Sequence, residues 1–405
     1  MVFDAMASPC CLAALGIVNA LGSGERAIWP RLLAGDQSGF CLRDDFVPGR
    51  QLLLAAVREP LPKVPEELAR FASRNNALCL AALEQIAAAV AEAVLRFGPD
   101  RVAVVMGTST SGVSDAEDAI RALRETQRLA PHFDYAQLEF GGIAEFTAAV
   151  VGARGPAYTL STACSSGARA LASARSLLGL GLCDAVVAGA ADSLCGLTTG
   201  GFSALQALSS EVTNPFSRNR AGITLGEGAA VFLVTRDSGG VQLLGVGESS
   251  EAHHMSAPDP EGRGAETAMR RALADAALEP EALAYLNLHG TGTPLNDAME
   301  GLAVARVLGS SVPGSSTKAL LGHTLGAAGA TEAGVCWMML DQSRDGSLEI
   351  VPHCYDGARD PEIPTLHLAR RGEHTPPCAA PRVMTNSFGF GGNNCTLVLG
   401  REAVA

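Results

Sequence analysis

The chain has 405 residues, of which 47% are hydrophobic and 18% are charged, and its formal net charge is −12. This length exceeds that of one hydrophobic core and predicts two domains or two equivalent halves, and the composition excludes a disordered protein. The acidic balance, without a long run of Lys or Arg, argues against nucleic acid or an anionic membrane as the main partner.

The start of the chain, MVFDAMASPCCLAALGIVNAL, contains an apolar run that predicts a first buried strand with its turn. This run has no basic leader before it and is too short and too glycine-interrupted to span a bilayer. The eleven cysteines are odd in number and include no CxxC pair, so we expect free thiols rather than a disulfide framework. Both features predict a cytoplasmic protein without a membrane span.

Segments rich in Val, Leu and Ala alternate along the chain with segments of helical periodicity. Buried strands are predicted at residues 101–107, 183–193, 228–235, 283–290 and 382–389. Helices are predicted at residues 76–98, 166–181 and 261–278. This alternation predicts an α/β fold in which helices cover both faces of the strands.

A weak internal repeat divides the chain. Residues 102–112 and 283–293 both run from an apolar strand into a Gly/Thr/Ser turn, and residues 162–174 and 322–334 both open a helix with small residues. Two tandem copies of one α/β unit would give this pattern. We predict the halves at residues 1–238, with the candidate nucleophile, and 239–405, with two candidate histidines.

Cys164 is the first candidate catalytic residue. It lies in LSTACSSGARA, where a strand-like run meets a helix of small residues. The amides and the dipole at a helix N-terminus would lower the pKa of its thiol and favour the thiolate. The same amides could hold an oxyanion. A buried structural cysteine is the alternative, which we prefer for the other ten.

His289 is the second candidate and opens the turn HGTGTPLND after an apolar strand. The glycines of this turn allow a ligand to approach the backbone closely, and Thr291 and Thr293 offer hydroxyls. A solvated histidine in a loop is the alternative.

His323 is the third candidate, in KALLGHTLGAAGATEAG, five residues after Lys318 and nine before Glu332. The small residues that follow predict a helix packed tightly against a neighbour. Lys318 is either a surface lysine or the partner of Glu332 in a buried ion pair, and both interpretations stay open at this point.

The segment NSFGFGGNN, residues 386–394, combines glycines with Phe388 and Phe390. It is either a flexible hairpin or a backbone amide donor with an aromatic gate.

Four motifs, TACSSG, HGTGT, K-x4-GH-x-LGAAG and NSFGFGG, carry a family resemblance over essentially the whole chain. In this order and spacing they resemble the elongating β-ketoacyl-acyl-carrier-protein synthases of the thiolase superfamily. The resemblance implies a thiolase-like fold, in which two pseudo-repeated α/β halves form a five-layered αβαβα sandwich. It also implies decarboxylative condensation of malonyl thioester with an acyl group, both carried on the phosphopantetheine of an acyl carrier protein.

Roles follow from the resemblance residue by residue. Cys164 corresponds to the acyl-accepting nucleophile, His289 and His323 to its two histidines, and Lys318 and Glu332 to an organising pair. The further implied positions are the oxyanion-hole amides of Cys164 and Phe390, the phosphopantetheine contacts Thr291 and Thr293, and the substrate contacts Thr110, Phe388 and Phe390. We expect no metal and no redox cofactor, since no ligand spacing for zinc and no dinucleotide-binding GxGxxG is found.

Three positions depart from the family pattern and concern the acyl pocket. Asn393 stands where Thr usually follows GFGG, Ala221 stands where Asp is usual, and Thr110 stands where many relatives have a bulkier apolar residue.

The resemblance implies a dimer, formed by strands near residues 183–193 that pair across a two-fold axis. The partner is a second copy or a chain-length subunit that resembles a ketosynthase. Lys63, Arg70 and Arg74 are either a docking patch for the carrier protein or a solvated helix face.

Two other functions remain as alternatives. A thiolase would use a second cysteine, for which Cys395 is the candidate, and a non-elongating chain-length subunit would have lost the nucleophile. Within the ketosynthases, the segments PCCLAALGIVNALGSG and GTSTSG resemble synthases of aryl polyene clusters, and fatty-acid elongation is the alternative.

Overall fold

The computed structural model of the chain describes residues 10–343 and 345–401. The prediction that no basic leader precedes the first apolar run concerns residues that lie partly outside these ranges. The predicted halves also include residues at both ends that are outside it.

In the first half of the described chain, strands alternate with helices. Its strands are β1 (Cys10–Asn19), β2 (Gly22–Ser23), β3 (Phe40–Arg43), β4 (Leu52–Ala55), β5 (Val102–Gly107), β6 (Ala157–Leu160), β7 (Ala185–Asp192) and β8 (Gly228–Thr235). Its helices are α1 (Glu25–Leu33), α2 (Arg74–Phe97), α3 (Val113–Thr126), α4 (Tyr135–Leu138), α5 (Gly142–Val151), α6 (Ser166–Gly179) and α7 (Gly196–Ala204).

The second half follows the same alternation. Its strands are β9 (Val241–Ser250), β10 (Tyr285–Asn287), β11 (Pro313–Ser315), β12 (His367–Leu368), β13 (Arg382–Gly389) and β14 (Asn393–Arg401). Its helices are α8 (Arg263–Asp275), α9 (Pro294–Leu308), α10 (Lys318–Leu321) and α11 (Ala328–Asp341). The five strands and three helices predicted from the sequence all form, with ends that differ by a few residues.

The strands pair in two sets that share one topology. In each set, two parallel pairings are followed by two antiparallel pairings. The strand orders are β6-β5-β7-β8-β1 in the first set and β11-β10-β13-β14-β9 in the second. The sets join where β1 pairs with β9, at Cys10–Leu243 and Cys11–Gln242. Residues 236–240 connect β8 to β9, and the division of the chain at residue 238 stays a prediction.

The helices form three layers around the two strand sets. The inner helices α6 and α11 pack on each other and contact strands of both sets. Helices α2 and α5 cover the outer face of the first set, and α8 and α9 cover that of the second. Apolar side chains on both faces of every central strand require this coverage.

Helix α2 is, in the described part of the chain, the one helix with the length and hydropathy of a membrane span. Half of its apolar window is buried, and Leu78, Leu83 and Ile86 join the core beneath the first strand set. Ser73 caps its start by accepting a hydrogen bond from the amide of Asn76. These contacts are those of a core helix.

The expected dimer strand near residues 183–193 is wrong for a topological reason. This segment forms β7, which pairs with β5 on one side and β8 on the other, so it has no free edge. The strand with a free edge in this set is β6.

Candidate active site

Cys164 lies in a tight turn between β6 and α6. The turn forces Ala163 into the left-handed region, with a φ of 52°, which is unusual for a residue with a Cβ. The hydroxyl of Ser166 holds the turn by donating to the Ala163 carbonyl (2.7 Å) and accepting from the Thr162 amide (2.9 Å). The Cys164 side chain is therefore fixed just before the first turn of α6 and is 6% exposed.

The expected low pKa of this thiol is wrong. Burial raises the pKa of Cys164 to about 11, although the charge of Lys318 and a hydrogen bond from the Phe390 amide act in the opposite direction. The loss of hydration of a thiolate therefore outweighs the favourable groups around it. The resting side chain is a thiol, and His323 Nε2 lies 3.0 Å from its sulfur.

Close packing of α6 against α11 brings Cys164 and His323 together. A Cβ on Gly167 would lie 2.6 Å from the Ala330 amide nitrogen, and a Cβ on Gly329 would lie 2.7 Å from that of Ala168. The two helices can approach this closely only because both positions are glycine. This confirms the predicted tight packing of the helix after His323.

His323 is held by backbone contacts with a neighbouring segment. Its amide donates to the Thr224 carbonyl (2.8 Å), and its carbonyl accepts from the Gly226 amide (2.9 Å). The imidazole rings of His323 and His289 meet edge to face, with centroids 5.5 Å apart. Burial, followed by the charge of Lys318, lowers the pKa of both histidines well below the usual value, so both rings are neutral near pH 7.

Lys318 and Glu332 form a buried ion pair, which excludes the surface-lysine interpretation. Lys318 Nζ lies 2.5 Å from Glu332 Oε1, and the side chains are 1% and 3% exposed. The same ammonium donates to the His289 carbonyl (2.5 Å) and lies 3.4 Å from His289 Nδ1. Because an ammonium only donates, it favours the His289 tautomer that carries its proton on Nε2.

The glycine-rich segment after β13 packs against the turn that carries Cys164. The Phe390 amide donates to the sulfur of Cys164. A Cβ on Gly389 would lie 3.3 Å from the Cys164 amide nitrogen, so the two turns are in direct contact. The amides of Cys164 and Phe390 thus lie at one place, as an oxyanion hole requires.

The two phenylalanines of this segment take different positions. Phe388 is buried, and its ring lies 5.9 Å from that of His289. Phe390 is partly exposed, with its ring centroid 5.5 Å from that of Phe202.

A cavity of about 290 Å³ leads to Cys164. Thr291 and Thr293 line it, with hydroxyl oxygens 3.0 Å apart, together with His289, Phe388 and Phe390. Thr110 is not among the lining residues. Its hydroxyl instead donates to Asp192 Oδ1 (2.7 Å) in the core.

Cys395, the second cysteine of the thiolase alternative, lies in the core of β14. It is fully buried, burial raises the pKa of its thiol, and it does not line the cavity. This placement argues against a thiolase.

Sequence reasoning missed two buried carboxylates. Asp192 at the end of β7 accepts hydrogen bonds from the hydroxyls of Thr108, Ser109 and Thr110 and from the Gly326 amide (2.5 Å). It therefore ties the turn after β5 to the segment after His323. An acidic residue at the end of an otherwise apolar strand was the available signal.

Glu300 in α9 is the other missed carboxylate. It accepts from the amides of His289 (2.8 Å) and Gly290 (2.7 Å) and so orients the HGTGT turn. Burial raises the pKa of Glu300 to about 7, although these amides lower it. Its place in the first helix after that turn could have identified it.

The departures from the family pattern are accommodated locally. Arg220, next to Ala221, pairs instead with Asp360. Asn393 begins β14, where it pairs with Gly389 of β13 and Ser250 of β9.

Two family models together match most of the chain. Residues 52–239 match the family model described as Beta-ketoacyl synthase, N-terminal domain, and residues 241–344 match Beta-ketoacyl synthase, C-terminal domain. The 3-oxoacyl-[acyl-carrier-protein] synthases 2 of Coxiella burnetii and Vibrio cholerae are both 30% identical over 96% of this chain, and the matches cover 98% and 97% of those proteins.

Solved structures are similar over almost the full length. The ketosynthase ApeO in complex with its chain length factor ApeC, from Xenorhabdus doucetiae, matches with a TM-score of 0.92 and 42% identity, covering 99% of this chain and 100% of that one. A β-ketoacyl synthase from Burkholderia phymatum matches with a TM-score of 0.84 and 28% identity, over 98% of this chain and 99% of its own. The thiolase-like fold is thereby confirmed, and the chain belongs to the β-ketoacyl synthase family of condensing enzymes.

Proposed function

We propose that the chain is an active elongating ketosynthase, which condenses malonyl carrier thioester with an acyl group held on Cys164. One observation carries this proposal. The sulfur of Cys164 and ring nitrogens of His289 and His323 lie within 4.8 Å of one another at the cavity that leads to Cys164. A chain-length subunit has no need of this constellation, so its presence favours a catalytic subunit.

In the first step, the sulfur of Cys164 attacks the acyl thioester. Its thiol proton passes to His323 Nε2, which lies 3.0 Å away, and then to the departing pantetheine sulfur. The amides of Cys164 and Phe390 stabilise the oxyanion of the tetrahedral intermediate. The acyl group is left on Cys164.

In the second step, malonyl thioester loses carbon dioxide, and the electrons of the broken bond form an enolate. After the first step His323 exchanges its remaining ring proton through water from Nδ1 to Nε2. The Nε2–H groups of His289 and His323 then donate to the enolate oxygen, and Lys318 favours this tautomer in His289. The carbanion then attacks acyl-Cys164, the carbon–sulfur bond breaks, and the thiolate takes up one proton from water to restore the thiol.

No metal or redox cofactor is part of this proposal, because decarboxylation itself supplies the carbon nucleophile. A dication among Cys164, His289 and His323 would also face the charged Lys318, 3.4 Å from His289 Nδ1. We place the protein in the cytoplasm, which is supported by eleven cysteines that are all free.

The partners proposed are an acyl carrier protein and a second ketosynthase-like chain. The similarity to ApeO, which was solved with a chain length factor, supports a heterodimer, and a homodimer is the alternative. Strand β6 offers the edge: it ends four residues before Cys164, and the hydroxyl of Thr159 has no hydrogen-bond partner.

The pathway proposed is specialised polyene-type chain elongation rather than primary fatty-acid synthesis. The 42% identity with ApeO exceeds the 30% identity with the 3-oxoacyl carrier protein synthases 2, and it extends the resemblance of two short motifs to aryl polyene synthases.

The proposal is tested by separating acyl transfer from decarboxylation. Cys164→Ala should lose the acyl adduct seen by intact-mass spectrometry after incubation with acyl carrier thioester, and should still release carbon dioxide from malonyl carrier. His323→Ala should slow condensation by about 10²–10³-fold, as the loss of one oxyanion donor does. Cys354→Ala, at a partly buried cysteine outside the cavity, is the matched control and should behave as wild type. Full condensation by His323→Ala, or an adduct on Cys164→Ala, would contradict the assignment.

A further inference from the structure

Helix α7 carries part of the wall of the cavity that leads to Cys164. Phe202 in α7 and Leu205 just after it line this cavity. The ring centroid of Phe202 lies 5.5 Å from that of Phe390, whose amide donates to the sulfur of Cys164. The position of α7 therefore affects both the width of the cavity and a residue whose amide contacts Cys164.

The composition of α7 gives this helix little stability of its own. Its sequence, GLTTGGFSA, contains three glycines and two adjacent threonines, which are weak helix formers. Thr199 is its one buried residue, and Phe202 is partly buried against a small apolar cluster. Cβ atoms on Gly200 and Gly201 would meet no atom within 4 Å, so this side of the helix is not packed. Contacts at the helix ends are therefore needed to hold α7 in place.

The start of α7 is capped from another helix. Cys195 stands at the N-cap position, where an oxygen of Ser, Thr, Asp or Asn normally accepts from the first free amides, and sulfur is only a weak acceptor. The carboxylate of Glu117, in α3, supplies the oxygens instead. Its Oε2 accepts from the Gly196 amide (2.8 Å), and its Oε1 accepts from the Leu197 amide (2.6 Å). A negative charge at this end of a helix is also favoured by the helix dipole.

Helix α3 is a rigid support for Glu117. A Cβ on Gly112, which precedes α3, would lie 2.3 Å from the Gln137 carbonyl oxygen, so the two backbones are in direct contact. The turn before Gly112 is held by Thr110, whose amide and hydroxyl donate to the buried Asp192 (2.8 and 2.7 Å). Glu117 thus connects a fixed segment to the start of α7.

We propose that Glu117 is a positioning residue, which caps α7 and thereby holds Phe202 as a wall beside the acyl group on Cys164. The inference rests on the proposed function, because it concerns the acyl group that Cys164 accepts. When both hydrogen bonds of Glu117 are lost, the first turn of α7 should fray, and Phe202 should move away from Phe390. The cavity then becomes wider and accepts bulky acyl groups more readily relative to slim ones.

Glu117→Ala and Glu117→Gln test this inference in the full-length protein. Intact-mass spectrometry gives the second-order rate constants for acylation of Cys164 by hexanoyl-pantetheine and by the bulkier, planar cinnamoyl-pantetheine. In Glu117→Ala the ratio of the cinnamoyl to the hexanoyl rate constant should rise at least about fivefold, since the fit of an apolar group in a pocket changes rates on this scale. Glu117→Gln keeps one acceptor oxygen and should give an intermediate ratio. A smaller fraction of folded protein would lower both rate constants equally, so a merely structural effect leaves the ratio unchanged.

A second substitution tests whether the effect acts through the cap of α7. Cys195→Ser places a hydroxyl oxygen at the N-cap position, so adding it to Glu117→Ala should return the ratio to within about twofold of the wild-type value. Glu125→Ala, at an exposed glutamate in the last turn of α3, is the matched control and should leave the ratio unchanged. A wild-type ratio in Glu117→Ala, or no return when Cys195→Ser is added, would overturn the inference. If neither thioester acylates the wild-type protein, the proposed function itself fails, which is a distinct result.

Discussion

Substitution of Lys318 with Met separates the structural role of the buried ion pair from its effect on His289. Methionine keeps most of the side-chain volume and removes the charge. Glu332, 3% exposed, then lacks the ammonium that lies 2.5 Å away. Burial already raises the pKa of Glu332, and the loss of Lys318 removes the group that lowers it.

The size of the effect follows from the cost of neutralising that carboxyl. Protonating a glutamate of ordinary pKa 4.5 costs about 1.4 kcal/mol per pH unit above that value, or about 3 kcal/mol at pH 7. This is an upper limit for the destabilisation, and it falls at the lower end of the range of about 3–5 kcal/mol for breaking a buried pair.

The pH dependence has a definite sign. A carboxyl whose folded pKa is raised costs nothing below its unfolded pKa, and its cost grows as the pH rises from there. The loss of unfolding free energy in Lys318→Met relative to wild type should therefore shrink to less than about 1 kcal/mol at pH 5.

Urea denaturation at pH 5 and pH 7 measures this loss for Lys318→Met, Glu332→Gln and the double variant. The double variant has no buried charge left at the pair and should recover most of the stability. Its condensation should still be slow by about 10²-fold, because His289 Nδ1 has lost the donor that favours the Nε2–H tautomer. A destabilisation independent of pH, or a double variant with full condensation rate, would refute this reasoning.

Two further predictions concern the nucleophile and the partner. The rate of Cys164 alkylation by iodoacetamide should rise with pH to beyond pH 9, since burial raises the pKa of the thiol to about 11; a plateau below pH 8 would show a thiolate at rest. When the partner chain binds, the backbone amides of β6 should exchange hydrogen at least about tenfold more slowly in mass-spectrometric measurements. Unchanged exchange at β6, alongside a stable complex, would place the interface elsewhere.

The proximity of the proposed catalytic residues could be predicted, because they lie in turns with strong local signals. His289 is surrounded by glycine and threonine residues, and small residues follow His323, so neither histidine fits an ordinary core position. The structure brings both histidines to Cys164. The buried Lys318–Glu332 pair was one of two open interpretations, and only the three-dimensional packing decides between them.

Other features could not be predicted from the sequence, because they depend on contacts between segments that are far apart in it. The edge of a strand set is defined by which strands pair, so the apolar segment 183–193 gave no sign that it becomes the central β7. The direction of the pKa shift of Cys164 was predicted wrongly. The start of a helix can be recognised in the local sequence, whereas the burial that raises this pKa comes from the whole surrounding core. Asp192 was missed because its partners come from two segments that are far from it in the sequence.

Burial is the common cause behind the electrostatics of this site. It raises the pKa of Cys164 and lowers that of His289 and His323, so the thiol and both imidazoles are uncharged before substrate arrives. Neutral imidazoles keep their N–H donors without attracting the malonyl carboxylate into an ion pair that would have to break before carbon dioxide leaves. A protonated thiol is also a poor target for oxidants and alkylating agents, and in the proposed mechanism it becomes a nucleophile when His323 takes its proton. The charged pair Lys318–Glu332 adds no net charge to this arrangement. A buried site with neutral donors thus suits both proposed steps, because the charge that develops on each oxyanion is the main charge for its amides and imidazoles to stabilise.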